Sequence, residues 1–459
     1  MKHVSAPGVR FRSPYRGILP PEFQVSRTDR RKNDSEDLAN TLTHALVRGE
    51  IHKARLILKG SPQIVAENAW LAALAGDPEM LSALIAADPR CADRQDERQG
   101  TSPLVACAIS RAHRINPARS DGLLQCALLL LAAGADPNAW SPMPCGTVGQ
   151  RRSVLRSAIE GAGFPSLVEL LLDHGASLED NGALDAAAEL AEPRCLEILL
   201  ERGADPSQSP VLQAAIRGQR PENITLLLAR GADAQLVDEQ LRNAVHWACE
   251  LERTPELVTE LLDAGADLDA QEARGLSPLS LATRLGCVEL SDLLLGRGAV
   301  AELDHVDTFY GLCSRGLSDM ALTVLSTNPE LFDRVSDREE NMLVDAIAKD
   351  KRPAVQAMIE VGFSVESAPV GDQPLHVAAR HGRWELLYQL LDAGAPLRAR
   401  NLDDRTPLDL AVRGAESPLF GSGNYVETVR ILVEAGARPE AWMLKAAPEA
   451  VSEVLGEAL

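Results

Sequence analysis

Nine histidines and eight cysteines are the side chains of this 459-residue chain best suited to hold a metal or act as nucleophiles. A zinc hydrolase needs two histidines one helical turn apart with a glutamate between them, and His-Glu-x-x-His does not occur. The cysteines stand at 91, 107, 126, 145, 195, 249, 287 and 313. None of these spacings suits a zinc knuckle or a redox dithiol, and a disulfide framework is not expected. Cys145 is the cysteine expected to be exposed, yet no histidine is placed by sequence to activate it. His174 precedes Gly175, where a cation at a helix C-terminus is favourable, which gives it a structural reading. Gly421-Ser422-Gly423 resembles a phosphate cradle only weakly, because the following Lys-Ser/Thr and a preceding strand are absent. The expectation is a chain with no catalytic residue, no cofactor and no metal.

Composition points the same way. Apolar residues make up 45% of the chain but aromatics only 3%, so any core is built from Ala, Leu and Val. One large enzyme core rarely has that balance. With 46 Lys and Arg against 66 Asp and Glu, the net charge is −20, which argues against a nucleic-acid binder held by phosphate neutralisation. No run approaches the roughly 20 apolar residues of a membrane span. Residues 1–33 differ from the rest: eight positive and two negative charges give them +6, and they hold Pro7, Pro14, Pro20 and Pro21. Residues 1–37 are therefore expected to be a disordered basic tail ahead of one array over 38–459. The tail lacks the apolar stretch of a secretory signal. It reads equally as a solvated tail, an uncleaved export signal or an Arg-rich transit segment.

From about residue 38, one punctuation mark recurs after leucine-rich runs. It is Leu-Leu-x-x-Gly-Ala-Asp, ending at Gly134, Gly203, Gly231 and Gly265, with variants at Gly175, Gly298, Gly394 and Gly436. Glycine there is what a helix needs where the chain turns left-handed and stops. A second mark lies 21 residues earlier, as in Ser277-Pro278-Leu279 before Gly298 and Gln373-Pro374-Leu375-His376 before Gly394. Proline in the first turn of a helix loses no backbone hydrogen bond, and the residue before it can cap. Between the marks lie two short helices, the first carrying an Ala pair and the second Val and Leu.

These residues resemble the ankyrin repeat family, whose signature runs Thr-Pro-Leu-His-x-Ala-Ala, then Gly, then Leu-Leu-x-x-Gly-Ala-Asp. Gln373 to Gly382 followed by Leu390 to Ala395 is similar throughout, and Thr406-Pro407-Leu408 restarts the pattern 33 residues later. The Thr-equivalent positions are Asn40, Glu67, Ser102, Ser153, Gly182, Ser209, Asn243, Ser277, Asp307, Asn341, Gln373, Thr406 and Ala441. That gives thirteen units, about twelve of them full and the last a truncated cap. Asn328-Pro329 reads as a degenerate Gly-Ala with Asn328 left-handed. The fold expected is an all-α solenoid of stacked helix-turn-helix units with loop fingers. Ala214-Ala215, Ala378-Ala379, Cys107, Cys249 and Cys313 are expected in its core. The resemblance implies that His246 and His376 brace turns by hydrogen bonding.

Departures from the period locate the candidate surface. The loop from Asp136 to Ser153 spans 17 residues where Asp267 to Ser277 spans 10. It forms a long finger carrying Trp140, Met143, Cys145, Arg151 and Arg152, and a tryptophan there favours partner contact. Insertions also fall within two units, around 113–119 and 418–425. The two positions after each Ala pair face the concave side in the family. The later units place Arg284, Arg315, Lys349, Arg380, His381 and Arg413 there, a basic stripe suited to an acidic partner segment. The reading is a non-enzymatic scaffold, monomeric and cytoplasmic, that binds another protein through its concave face and fingers. The alternatives are a translocated bacterial effector that seizes a host protein, and an inhibitor or immunity partner of one enzyme.

Overall fold

The computed structural model describes residues 27–66, 68–142, 151–178, 182–331, 341–366, 371–416 and 423–458. They fall into two compact units, one ending at Asp205 and the other beginning at Pro206. Among the described residues, every helix belongs to a consecutive pair.

The first unit holds five pairs. They are α1 (Arg27–Arg48) with α2 (Ile51–Gly60), α3 (Ala69–Ala75) with α4 (Pro78–Ala87), and α5 (Pro103–Ile109) with α6 (Pro117–Ala132). Then come α7 (Val154–Ser157), prolonged by a π turn over Ala158–Ala162, with α8 (Pro165–Asp173), and α9 (Ala183–Glu189) with α10 (Arg194–Glu201). Between α6 and α7 stand two short antiparallel strands, β1 (Trp140–Pro142) and β2 (Arg151–Ser153).

The second unit holds eight pairs. The first four are α11 (Val211–Arg217) and α12 (Pro221–Ala229), α13 (Ala244–Glu250) and α14 (Pro255–Asp263), α15 (Pro278–Arg284) and α16 (Val288–Gly296), and α17 (His305–Ser314) and α18 (Ser318–Thr327). The remaining four are α19 (Asn341–Ala348) and α20 (Arg352–Glu360), α21 (Pro374–Arg380) and α22 (Trp384–Asp392), α23 (Pro407–Glu416) and α24 (Tyr425–Glu434), and α25 (Ala441–Ala446) and α26 (Glu449–Glu457).

The glycine mark acts as its chemistry requires and the capping mark does so at several positions, though Ser102 and Gln373 make no side-chain cap. Ser153, Asn243 and Ser277 accept backbone N–H groups of the first turn, from Arg156 at 3.0 Å, His246 at 3.1 Å and Ser280 at 3.2 Å. At the other end, Gly134, Gly175, Gly203, Gly231, Gly265, Gly298, Gly362, Gly394 and Gly436 all lie between φ +89° and +101°. That turn lets the next amide reach back to a helix carbonyl, as Ala395 N does to Leu390 O at 2.9 Å. The alanine after the glycine is buried beneath the turn at Ala135, Ala266 and Ala395, which explains why it is small.

Within each unit, first helices of neighbouring pairs stack on one another, and small side chains set their spacing. Ala215, Ala378, Ala379, Cys107, Cys249 and Cys313 are fully buried, with Leu227, Leu261, Leu294 and Leu390 behind them. An aromatic group, Phe309, Tyr310 and Phe363, fills one place where the stacking changes: Phe363 stacks 6.5 Å from Phe309 and meets Tyr310 edge-on at 6.1 Å. There α17 packs chiefly on α20 rather than on α19.

The chain departs from expectation at five places. Helix α1 starts at Arg27, so residues 27–37 of the expected tail are helical and Asn40 lies inside the helix; no proline occurs between 21 and 62 to stop it. Asp307 is not a cap but the third residue after it, because Asp304 caps α17 and Asp307 closes a capping box with the Asp304 amide. Asn328 is at φ −135°, not left-handed, since the residue before a proline is pushed to extended geometry. Asp88 before Pro89 behaves alike at φ −146°. The last unit, expected to be truncated, contains both of its helices. Finally, the long finger is a strand pair at its base rather than a loop. Glu67 lies outside the described residues.

Candidate protein-interaction surface

The turns that position the surface are tied down by buried histidines. His246 Nε2 donates to Leu276 O at 3.1 Å, which leaves Nδ1 to accept the Asn243 amide at 3.3 Å. His376 Nε2 is bonded to Ala399 O at 3.1 Å and Arg405 O at 3.0 Å. Each ring therefore fastens a helix to the next finger. Burial is the main cause that pushes both imidazoles below their ordinary pKa, so both are neutral braces. His174 holds the end of α8 through Leu170 O at 2.9 Å.

In the first unit, the finger leaves α6 and returns to α7. Trp140 pairs with Ser153 and Ser141 with Arg152. Trp140 is 38% exposed, while Trp70, Trp247, Trp384 and Trp442 are buried or half-buried. The finger's base is braced by Asn138, whose side chain donates to Gly175 O at 3.1 Å and accepts from Ser177 N at 2.8 Å. Arg152 lies 3.0 Å from Glu160 Oε2, and Arg156 holds the other oxygen at 2.6 Å. Glu160 is thus an anchor for the finger. Met143 and Cys145 lie outside the described residues, and Arg151 is described only through its backbone pairing with Pro142.

The residues of the basic stripe do not have one common environment. Arg284 Nε sits 2.5 Å from Asp307 Oδ1, with both side chains largely buried, and its guanidinium lies 5.8 Å from the Tyr310 ring. It joins α15 to α17. Lys349 Nζ is 2.7 Å from Glu252 Oε1. Arg380 pairs with Asp372, which also accepts from Asn401 at 2.5 Å. His381 is half-buried, and burial with the neighbouring Arg383 and Arg380 lowers its pKa. Arg315 and Arg413 are exposed; the stem of Arg315 lies over Gly286, and Arg413 sits 5.3 Å from the Trp442 ring.

The two insertions prove structural where they are described. Residues 112–114 form a short 3-10 turn, and His113 stacks on Phe164 at 5.2 Å before the sixteen-residue α6. Gly423 approaches the backbone of His381 and Gly382 so closely that a Cβ there would collide with it, and Asn424 N donates to Gly382 O at 3.1 Å. Its place is therefore set by backbone packing; Gly421 and Ser422 lie outside the described residues. Among the described residues, no group of three or more His, Cys, Asp and Glu is arranged to hold a metal. No described helix is long and apolar enough to cross a membrane.

The model of the family described as ankyrin repeats matches residues 211–306 and 336–441. These stretches of the second unit are ankyrin repeats. It is 28% identical over 180 residues to the mouse B-cell lymphoma 3 protein homolog, covering 38% of this chain and 33% of that one. Against the mouse ankyrin repeat and SOCS box protein 9, identity is 43% over 63 residues, covering 14% of this chain and 21% of that one. The chain thus spans a third or less of these relatives' lengths. A solved structure of the ankyrin repeat domain of Bcl-3 aligns with 27% identity and a TM-score of 0.36, covering 45% of this chain and 90% of that one. Ankyrin repeats as a family mediate protein-protein interaction. The helix pairs of the first unit lie outside the matched residues.

Sequence spacing did not reveal the cluster around Glu252. Its carboxylate is held by Lys349 and by Lys351 at 2.7 Å each, from 97 and 99 positions away. Cys287 lies close enough for Glu252 to raise its thiol further, after burial, up to about 11. The one local signal was a glutamate where other units have glycine.

Proposed function

We propose that this protein is a non-enzymatic scaffold that binds another protein through the finger of its first unit and the exposed ends of its first helices. The observation that carries the reading is the braced strand pair Trp140–Pro142 and Arg151–Ser153, which presents Trp140 38% exposed. An aromatic held on a fixed strand loses little conformational freedom on binding, which is what an interface anchor needs. The buried histidines and cysteines support a structural rather than a catalytic use of those side chains. Burial pushes the Cys126, Cys195 and Cys313 thiols up to about 12, far from a reactive thiolate. The test is capture from extract of the source cell with the full chain and with Trp140→Ala, alongside thermal melts. The reading expects a captured protein whose affinity falls at least tenfold in the variant at unchanged melting temperature. Equal capture by both would remove the finger from the interface.

A further inference from the structure

The turn between the two helices of a pair takes a left-handed residue, and Gly286, Gly316 and Gly382 supply it at φ +72°, +76° and +65°. Glu252 takes the same conformation at φ +52°, where a side chain is strained. Its carboxylate binds both Lys349 Nζ and Lys351 Nζ at 2.7 Å, across two intervening helix pairs. The second lysine flanks Asp350, another left-handed non-glycine at φ +57°, which bonds Arg352 at 3.2 Å. The two lysines follow helix α19, which packs on α20 and α21 rather than on α17. Burial raises the Asp345 carboxyl on α19, with Lys349 opposing the shift and Glu250 adding to it. One carboxylate thus faces two ammonium groups. All three side chains remain partly exposed, so a competitor can reach them and each ion pair is individually weak.

We propose that Glu252 stands in for a partner's carboxylate: its contact with Lys349 and Lys351 latches the end of α19 to the turn after α13, and an acidic peptide segment opens it by taking Glu252's place on the two lysines. This rests on the protein-binding reading and adds to it the chemistry of the partner and an internal competitor. Two ammonium groups against one carboxylate leave positive charge that a segment with several carboxylates can take up, which favours exchange.

The test uses the full chain and a fluorescein-labelled octaglutamate peptide, read by anisotropy at low salt. Glu252→Gln is expected to bind the peptide at least tenfold more tightly than the unsubstituted chain. Adding Lys349→Gln and Lys351→Gln is expected to abolish that gain. Glu252→Gly, which also relieves the strained turn, is expected to show the same gain, guarding against a folding defect in either variant. Amide exchange across residues 341–349 is expected to quicken at least tenfold in Glu252→Gln. Unchanged peptide affinity, a gain that survives loss of both lysines, or unchanged exchange would each overturn the latch. Failure here with retained dependence of partner capture on Trp140 would leave the scaffold reading standing.

Discussion

Removing Asp307 should be among the most damaging single changes in the second unit, and the structure says why. Its carboxylate receives Arg284 Nε at 2.5 Å, Ser280 Oγ at 3.2 Å and the Asp304 amide at 3.1 Å. Its side chain is 4% exposed and that of Arg284 14%. Asp307→Ala therefore takes its carboxylate partner from a largely buried guanidinium and opens a capping box. Breaking a buried pair by removing one partner costs about 3–5 kcal/mol, and loss of the cap adds about 1 kcal/mol. Arg284→Ala should cost less, about 2–3 kcal/mol, because Asp307 keeps the Ser280 and Asp304 donors. Arrays lose cooperativity, so the assay is urea denaturation combined with amide exchange in α15 and α17. In a double-mutant cycle with Arg284→Met and Asp307→Asn, the pair should show a coupling of about 1.5 kcal/mol or more. A loss below about 1 kcal/mol for Asp307→Ala, or zero coupling, would refute the assignment of Arg284 to holding repeats together and return it to the binding stripe.

Acid should weaken the array through its histidines. His246 and His376 have folded pKa values below the ordinary value near 6.5, so the unfolded chain binds more protons, and stability falls as pH drops from about 7 toward the folded pKa values. His376→Gln should flatten that slope in melts between pH 7.5 and 5. Glu252 responds in the same direction but in a lower pH window. Burial raises its carboxyl, but hydrogen bonds from Lys349 and Lys351 outweigh it and the net pKa is lowered, so the latch should persist at pH 5 and fail only below the usual glutamate range. Among the glycines, Gly394→Ala should cost about 1 kcal/mol, because φ is +90° but no atom lies within 4 Å of the new Cβ. Gly382→Ala should cost clearly more in the same denaturation assay, since its Cβ would sit 2.8 Å from the Gly423 backbone.

Local, short-range signals were legible in the sequence. The eight glycines of the Gly-Ala mark are all left-handed, Ser153 and Ser277 cap, and His246 and His376 brace turns, because each depends on residues a few positions away. What was not legible depends on partners far along the chain. Arg284, Lys349 and Arg380 share a register position, and spacing alone made them look equivalent. Asp307, Glu252 and Asp372 meet them from 23, 97 and 8 positions away, and only the packing of specific turns decides that. The strand pair escaped detection because three-residue strands leave almost no alternation to read. Asn328 misled because Pro329 was read only as a stop to the helix and not as a restriction on the residue before it.

The central claim, that the finger of the first unit meets a partner protein, is tested most directly by placing a photocrosslinking amino acid at position 140 in the full chain and irradiating the source cell. A control carries it at Leu295, equally exposed on α16. The account predicts a discrete adduct with one protein from position 140 and none with that protein from position 295. Adducts with the same protein from both positions, or no adduct from position 140, would contradict it.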